Sequence, residues 1–148
     1  MAALKYVALD IYGTVLRADD YENNQGVQRG LAAFFDNCDA RKIKVIGASD
    51  ACVETVKFDL ATTLENDRWL DPSMSLDRFF DFMQFRETPK EFRLILEKYN
   101  VVPAELLVIG DNADKDIQGA IEIGARYVHV PKYTCKRDFF DLSKVYLD

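Results

Sequence analysis

Three stretches of the chain gather the residue types that could do chemistry. Asp10 opens Asp10-Ile11-Tyr12-Gly13-Thr14, Ser49 and Asp50 close Gly47-Ala48-Ser49-Asp50, and three carboxylates fall in Gly110-Asp111-Asn112-Ala113-Asp114-Lys115-Asp116. Each stretch follows an apolar run of strand character. A single aspartate after a strand caps a turn or helix, and Asp10 taken alone needs no other role. If the strands before Asp10 and Asp111 are neighbours, both side chains point into one crevice, where like charges repel unless a cation lies between them. Hard oxygen ligands of this kind select magnesium.

The elements that must position these residues are legible as periodicity. Apolar runs at 6–9, 43–46, 106–109 and 127–130 are short and continuous, as parallel strands covered on both faces should be. A fifth strand is expected within 79–85, where aromatic residues cluster. Between them, residues 27–35, 51–64, 91–99 and 113–123 carry apolar positions at three- and four-residue steps, the period of amphipathic helices. Asn112 or Asp111 is placed to cap the last helix, and Gly124 to end it. Strand and helix alternate, so the expected fold is α/β, a Rossmann-like, doubly wound, mainly parallel five-stranded sheet. Ligands of such sheets bind beyond the carboxyl ends of the strands, where all three stretches lie.

Length and composition bound the possibilities. A chain of 148 residues buries one core, and with no linker or repeat one domain spanning 1–148 is expected, residues 70–73 reading as a loop. With 49% hydrophobic and 30% charged residues the chain is too apolar for disorder and too charged for a membrane protein. The N-terminus lacks a signal peptide's basic start and long apolar stretch. Cys38, Cys52 and Cys135 are odd in number and widely spaced, and His129 is the one imidazole, so neither a disulfide framework nor a zinc site is indicated. A cytoplasmic location fits. A net charge of −6 opposes nucleic acid as a partner.

The order Asp10-x-Tyr12-Gly13-Thr14, then Ser49 after a second apolar strand, then a basic residue, then Gly110-Asp111-(x)4-Asp116 resembles the four motifs of the haloacid dehalogenase (HAD) superfamily over roughly residues 5–130. That resemblance implies a magnesium-dependent phosphohydrolase in which Asp10 is the nucleophile and forms an aspartyl-phosphate that water hydrolyses. It implies that the second Asp10 oxygen, the Tyr12 carbonyl and Asp111 hold Mg²⁺. Asp116 and Asp114 would stand behind those ligands and orient them or a water. The Ser49 hydroxyl and the amides around Asp50 would cradle phosphoryl oxygens. The basic residue, paired with Asp10 and a phosphate oxygen, is taken as Lys90, with Arg86 as the alternative.

Tyr12 departs from the pattern. The superfamily's phosphatases usually carry an aspartate there that protonates the leaving group, and losing such a group costs about 10²–10⁴ in rate. A phenol with an ordinary pKa near 10 is a poor base at neutral pH. Acyl or aryl phosphates, which leave without a proton, would suffer least. One alternative is therefore a catalytically degenerate magnesium- and phosphate-binding or regulatory protein. Another is a metal-independent 2-haloacid dehalogenase, whose first motif is similar but which needs a helical cap. The 38 residues between Asp10 and Ser49 leave room only for a flap around 17–24 and one helix, so no large cap is expected and the cleft should be open. A receiver-like fold is disfavoured because Asp10 follows the first strand. Open sites of this kind act on a phosphorylated small molecule or macromolecule and can borrow a second copy of the chain as a lid. The aromatic tail through Tyr133, Phe139, Phe140 and Tyr146 is expected to pack on the sheet or form such an interface.

Overall fold

A computed structural model describes residues 2–18, 27–63, 76–134 and 140–148. Residues 19–24 of the flap expected around 17–24, the loop at 70–73, Cys135 and Phe139 lie outside the described residues.

The chain alternates strand and helix: β1 (Tyr6–Leu9), α1 (Leu31–Ala40), β2 (Lys44–Ser49), α2 (Val53–Ala61), β3 (Asp81–Gln84), α3 (Arg93–Tyr99), β4 (Leu106–Gly110), α4 (Gln118–Ile123) and β5 (Arg126–His129). The strands form one sheet in the order β3-β2-β1-β4-β5, every neighbouring pair parallel. The expected doubly wound α/β fold is thus observed, including the fifth strand, which lies at an edge.

Continuous apolar runs form these strands because both faces are covered. Val7, Leu9, Val45, Leu107 and Ile109 pack with Leu31, Phe34 and Phe35 of α1 and Val56 and Leu60 of α2. The intervening Ala8, Ile46, Ala48, Leu106 and Val108 turn to the other face, against Phe92, Ile95 of α3 and Ala120 of α4. Burying each of the valine, leucine, isoleucine and phenylalanine side chains among these contributes roughly 1.5–3 kcal/mol. Because α1 and α2 lie on one face and α3 and α4 on the other, the winding reverses between β1 and β4. The register Leu9↔Ile109 brings the residues after those strands side by side at that crevice.

Several boundaries differ from the periodicity. The helix expected over 27–35 runs from Leu31 to Ala40, since Val27 bridges Leu16 and the Gln28 amide donates to the Val15 carbonyl at 2.8 Å, which withdraws both from the helix. β2 runs on to Ser49. The last helix begins with a π-helical turn, Ala113–Ile117, in which the Asn112 side chain accepts from the Lys115 amide at 2.9 Å. Gly124 ends α4 in the left-handed conformation at φ 73°. Among the described residues, no helix is long and apolar enough to cross a membrane.

Candidate active site

The turn after β1 sets the first side chain of the site. The Asp10 amide donates to the Ile109 carbonyl at 3.0 Å, continuing the β1–β4 ladder, and the Ile11 carbonyl accepts from the amides of Val15 and Leu16 at 2.8 and 2.9 Å. This winding needs φ of +90° at Gly13, where a Cβ would stand 2.7 Å from Asp111 Oδ2. A glycine there both makes the turn and lets Asp111 approach.

Lys90 is the electrostatic centre. Its ammonium donates to Asp116 Oδ1 at 2.6 Å, the Ala48 carbonyl at 2.8 Å and Asp10 Oδ1 at 3.1 Å, so all three protons are used. The side chain is 2% exposed. Two backbone devices hold it. The Lys90 amide donates to the Lys115 carbonyl at 3.0 Å, and at Gly119 a Cβ would meet the Lys90 carbonyl at 2.6 Å, so α4 can come this close only with glycine there.

Asp10, Asp111 and Asp116 offer carboxylate oxygens that all lie within 4.8 Å of one another. The buried Thr14 hydroxyl stands 3.4 Å from both Asp10 Oδ2 and Asp111 Oδ1. Asp116 Oδ2 accepts from the Asn112 amide at 3.2 Å, and the ring of His129 meets the Asp111 carbonyl at 3.0 Å. Burial pushes Asp10 up to about 7; Lys90 opposes that rise and Asp111 adds to it. Asp116 is likewise raised by burial, and then by Asp10, to about 6 despite Lys90. Burial alone would lower Lys90, but the Asp10 and Asp116 carboxylates outweigh it and hold the ammonium above its ordinary range. One ammonium thus does not neutralise three converging carboxylates. The donor set, hard oxygens with a surplus of negative charge, fits a divalent cation such as Mg²⁺.

A cavity of about 180 Å³ opens over these groups, lined among others by Asp10, Tyr12, Ser49, Lys90, Asp111 and Lys132. Ser49 is buried at the end of β2 and its Oγ accepts from the Ala51 amide at 3.1 Å. The exposed Asp50 carboxylate pairs with Lys115 at 2.5 Å, which holds it below the usual carboxylate range, while its carbonyl accepts from Gln84. Tyr12 lines the cavity, and its phenol donates to Asp59 Oδ2 on α2 at 2.5 Å.

The structure thus brings Asp10, Tyr12, Ser49, Asp50, Lys90, Asp111 and Asp116 together. Asp114 is not among them: it is exposed, because the π-helical turn that aims Asp116 inward leaves the residue two positions earlier outside. Arg86 is exposed beside a separate cavity with Phe85 and Glu87, while Lys90 reaches Asp10. Sequence reasoning gave no role to Thr14, although it stands four residues after Asp10 in the quoted motif, nor to Lys115, Lys132 or Asp59. The first three sit within or just beyond strand-end stretches and could have been found by position; Asp59 had no such signal.

Residues 88–138 match the family model described as HAD-hydrolase-like. Among solved structures, a predicted phosphoglycolate phosphatase from Haemophilus somnus is similar at TM-score 0.68 and 13% identity, covering 97% of this chain and 96% of that one. A haloacid dehalogenase-like family hydrolase from Xanthomonas campestris is similar at TM-score 0.68 and 10% identity, covering 95% and 88%. The N-terminal part of a Bacteroides fragilis protein, containing a phosphatase domain complexed with Mg, is similar at TM-score 0.59 and 18% identity, covering 87% of this chain and 36% of that one. No curated protein matches the sequence.

Proposed function

We propose that this chain, a HAD-like hydrolase by its fold and by its match over residues 88–138, is a magnesium-dependent phosphohydrolase that works through an aspartyl-phosphate on Asp10. The observation that carries the reading is the buried Lys90 ammonium bridging Asp10 and Asp116, with the Asp111 carboxylate converging on the same point.

In this reading Asp10, Asp111 and the Tyr12 carbonyl hold Mg²⁺, with Asp116 behind them on Lys90. Bound there, the ion supplies positive charge against the phosphoryl oxygens. Ionised Asp10 attacks phosphorus, the bond to the leaving group breaks, and water then cleaves the acyl phosphate to restore the carboxylate. Lys90 fixes the attacking carboxylate and offsets charge that builds during transfer. The Ser49 hydroxyl and the amides around Asp50 receive the phosphoryl oxygens. Burial raises Asp10 to about 7, and a cation held by these carboxylates would favour the ionised form that the attack requires. The substrate is a phosphorylated small molecule or macromolecule.

The test is hydrolysis of an aryl phosphate with magnesium, with EDTA, and by Asp10→Asn. Turnover that needs magnesium and vanishes in the variant supports the reading; magnesium-dependent turnover retained by Asp10→Asn overturns it. A phenol rather than a carboxyl group at residue 12 favours a second reading, a magnesium- and phosphate-binding protein without useful turnover. Phosphate binding with no hydrolysis of any phosphate would support that alternative.

A further inference from the structure

We propose that Lys132 selects the substrate by its leaving group, and that the substrate is a compact phosphate ester carrying a second anionic group a few bonds from phosphorus. The inference rests on the reading that a phosphoryl group is received at Asp10.

Lys132 lines the same cavity as Asp10 and Lys90 but belongs to the loop after β5. That loop is fastened on both sides of Lys132 to the segments that carry the acidic residues. The Val130 amide donates to the Gly110 carbonyl at 3.0 Å, and the Tyr133 amide donates to the Gly13 carbonyl at 2.7 Å. Tyr133 is buried, its carbonyl accepts from the Ala18 amide at 2.9 Å, and its hydroxyl donates to the Val27 carbonyl at 3.3 Å. Between the two ties, the ring of Pro131 fixes its own φ. The backbone at Lys132 is therefore held in one place relative to Asp10 and Asp111, and the residue itself is exposed.

The other lysines of the cavity are committed, Lys90 to Asp10 and Asp116 and Lys115 to Asp50. Among the described residues, no carboxylate pairs with Lys132. A surface lysine is ordinarily solvated, but one fixed against a reaction cleft with its charge uncommitted is available to a ligand anion. The direction of transfer decides which anion. Attacking and leaving oxygens lie roughly in line through phosphorus, so the leaving group points away from Asp10. Asp10 is buried at the floor of the cavity and Lys132 is exposed, so the leaving group is directed outward, to the rim where Lys132 stands. Ser49 ends β2 on one flank of β1, whereas Lys132 comes from β5, beyond β4 on the other. The lysine thus meets the substrate from the side opposite the residues that receive the phosphoryl oxygens. The cavity, about 180 Å³, is smaller than the roughly 300–1,000 Å³ of sites that enclose a drug-sized ligand, so the second anion must lie close to phosphorus to share it.

The probes are 3-phosphonopropionate and propylphosphonate, which cannot be hydrolysed and differ by a carboxylate in place of a methyl group. Their binding to the native protein, Lys132→Gln and Lys132→Glu is measured by calorimetry with magnesium, and the quantity compared is the ratio of the two affinities in each protein. The native protein should bind the carboxylated probe about tenfold more tightly, the size of one charge-assisted hydrogen bond. Lys132→Gln should reduce that ratio to about twofold or less, and Lys132→Glu should bring it below one. Equal affinities in the native protein, or a ratio that survives in Lys132→Gln, would overturn the role of Lys132 and leave phosphoryl binding at Asp10 intact. A native protein that binds neither phosphonate would overturn both.

Discussion

Lys90→Met is the perturbation whose outcome the site geometry dictates most fully. The substitution keeps a long apolar stem but removes an ammonium that is bonded to Asp10, Asp116 and the Ala48 carbonyl in a side chain only 2% exposed. Removing one partner of a buried ion pair costs about 3–5 kcal/mol, because the charge left behind has lost its compensation. Here two carboxylates are left behind, so the upper part of that range is expected at pH 8 in EDTA. At pH 5 the outcome changes. Asp10 and Asp116 already titrate at about 7 and about 6 with Lys90 present, and losing the ammonium raises both further. Below those values they are neutral acids, and the cost should fall to about 1 kcal/mol, the value of ordinary hydrogen bonds. With a urea slope of about 2 kcal/mol/M, the unfolding midpoint should drop by about 2 M at pH 8 and by about 0.5 M at pH 5 with the slope unchanged. Equal shifts at the two pH values would show that Lys90 contributes stem packing and no charge compensation. No shift at pH 8 would refute the buried pairing itself.

Three further outcomes can be checked. Native stability in EDTA should fall as pH rises from 5 to 8: the folded-state values of Asp10 and Asp116 lie above the ordinary 3.8, so the native state binds more protons across that window and loses this contribution as pH passes through them. Thermal midpoints against pH test this, and Asp10→Asn with Asp116→Asn should flatten the slope; a midpoint that rises with pH in the native protein and is unaffected by the double variant would contradict the assignment. Asp111→Asn should weaken magnesium binding, read by calorimetry, by about tenfold or more, since it removes one charge from the converging set; unchanged affinity would place the ion elsewhere. Gly119→Ala, whose Cβ would meet the Lys90 carbonyl at 2.6 Å, should destabilise by about 1–3 kcal/mol and lower turnover together, whereas a neutral variant would mean that Lys90 does not depend on close approach of α4.

Much of this architecture was legible in the sequence because the physics that produces it is local. Runs such as Tyr-Val-Ala-Leu and Leu-Leu-Val-Ile need no partner to be recognised as doubly covered strands, and the aspartates after them inherit their place from strand direction alone. Contacts made between distant segments left weaker traces. Lys90 and Arg86 are both basic residues ahead of a helix, and the choice between them is made at Gly119, where α4 presses on the Lys90 backbone. Asp114 and Asp116 are told apart by one π-helical turn, which an average helical period does not encode. The start of α1 moved because residues 27 and 28 pair with the turn after β1. Tyr12 was recognised as a departure from its motif, while the carboxylate that answers it lies 47 residues away on another element.

The three bonds of the Lys90 ammonium reach 80 residues back to Asp10, 42 back to Ala48 and 26 forward to Asp116. Contacts of such long sequence separation form late in folding, after loop closure has been achieved around them. The chemical centre is therefore a coincidence detector for the finished fold: a fragment lacking β1 or the segment after β4 holds no partial version of it. A partly folded chain would carry its aspartates apart, in water and ionised, and would become competent only when both wings of the sheet have closed on the same ammonium.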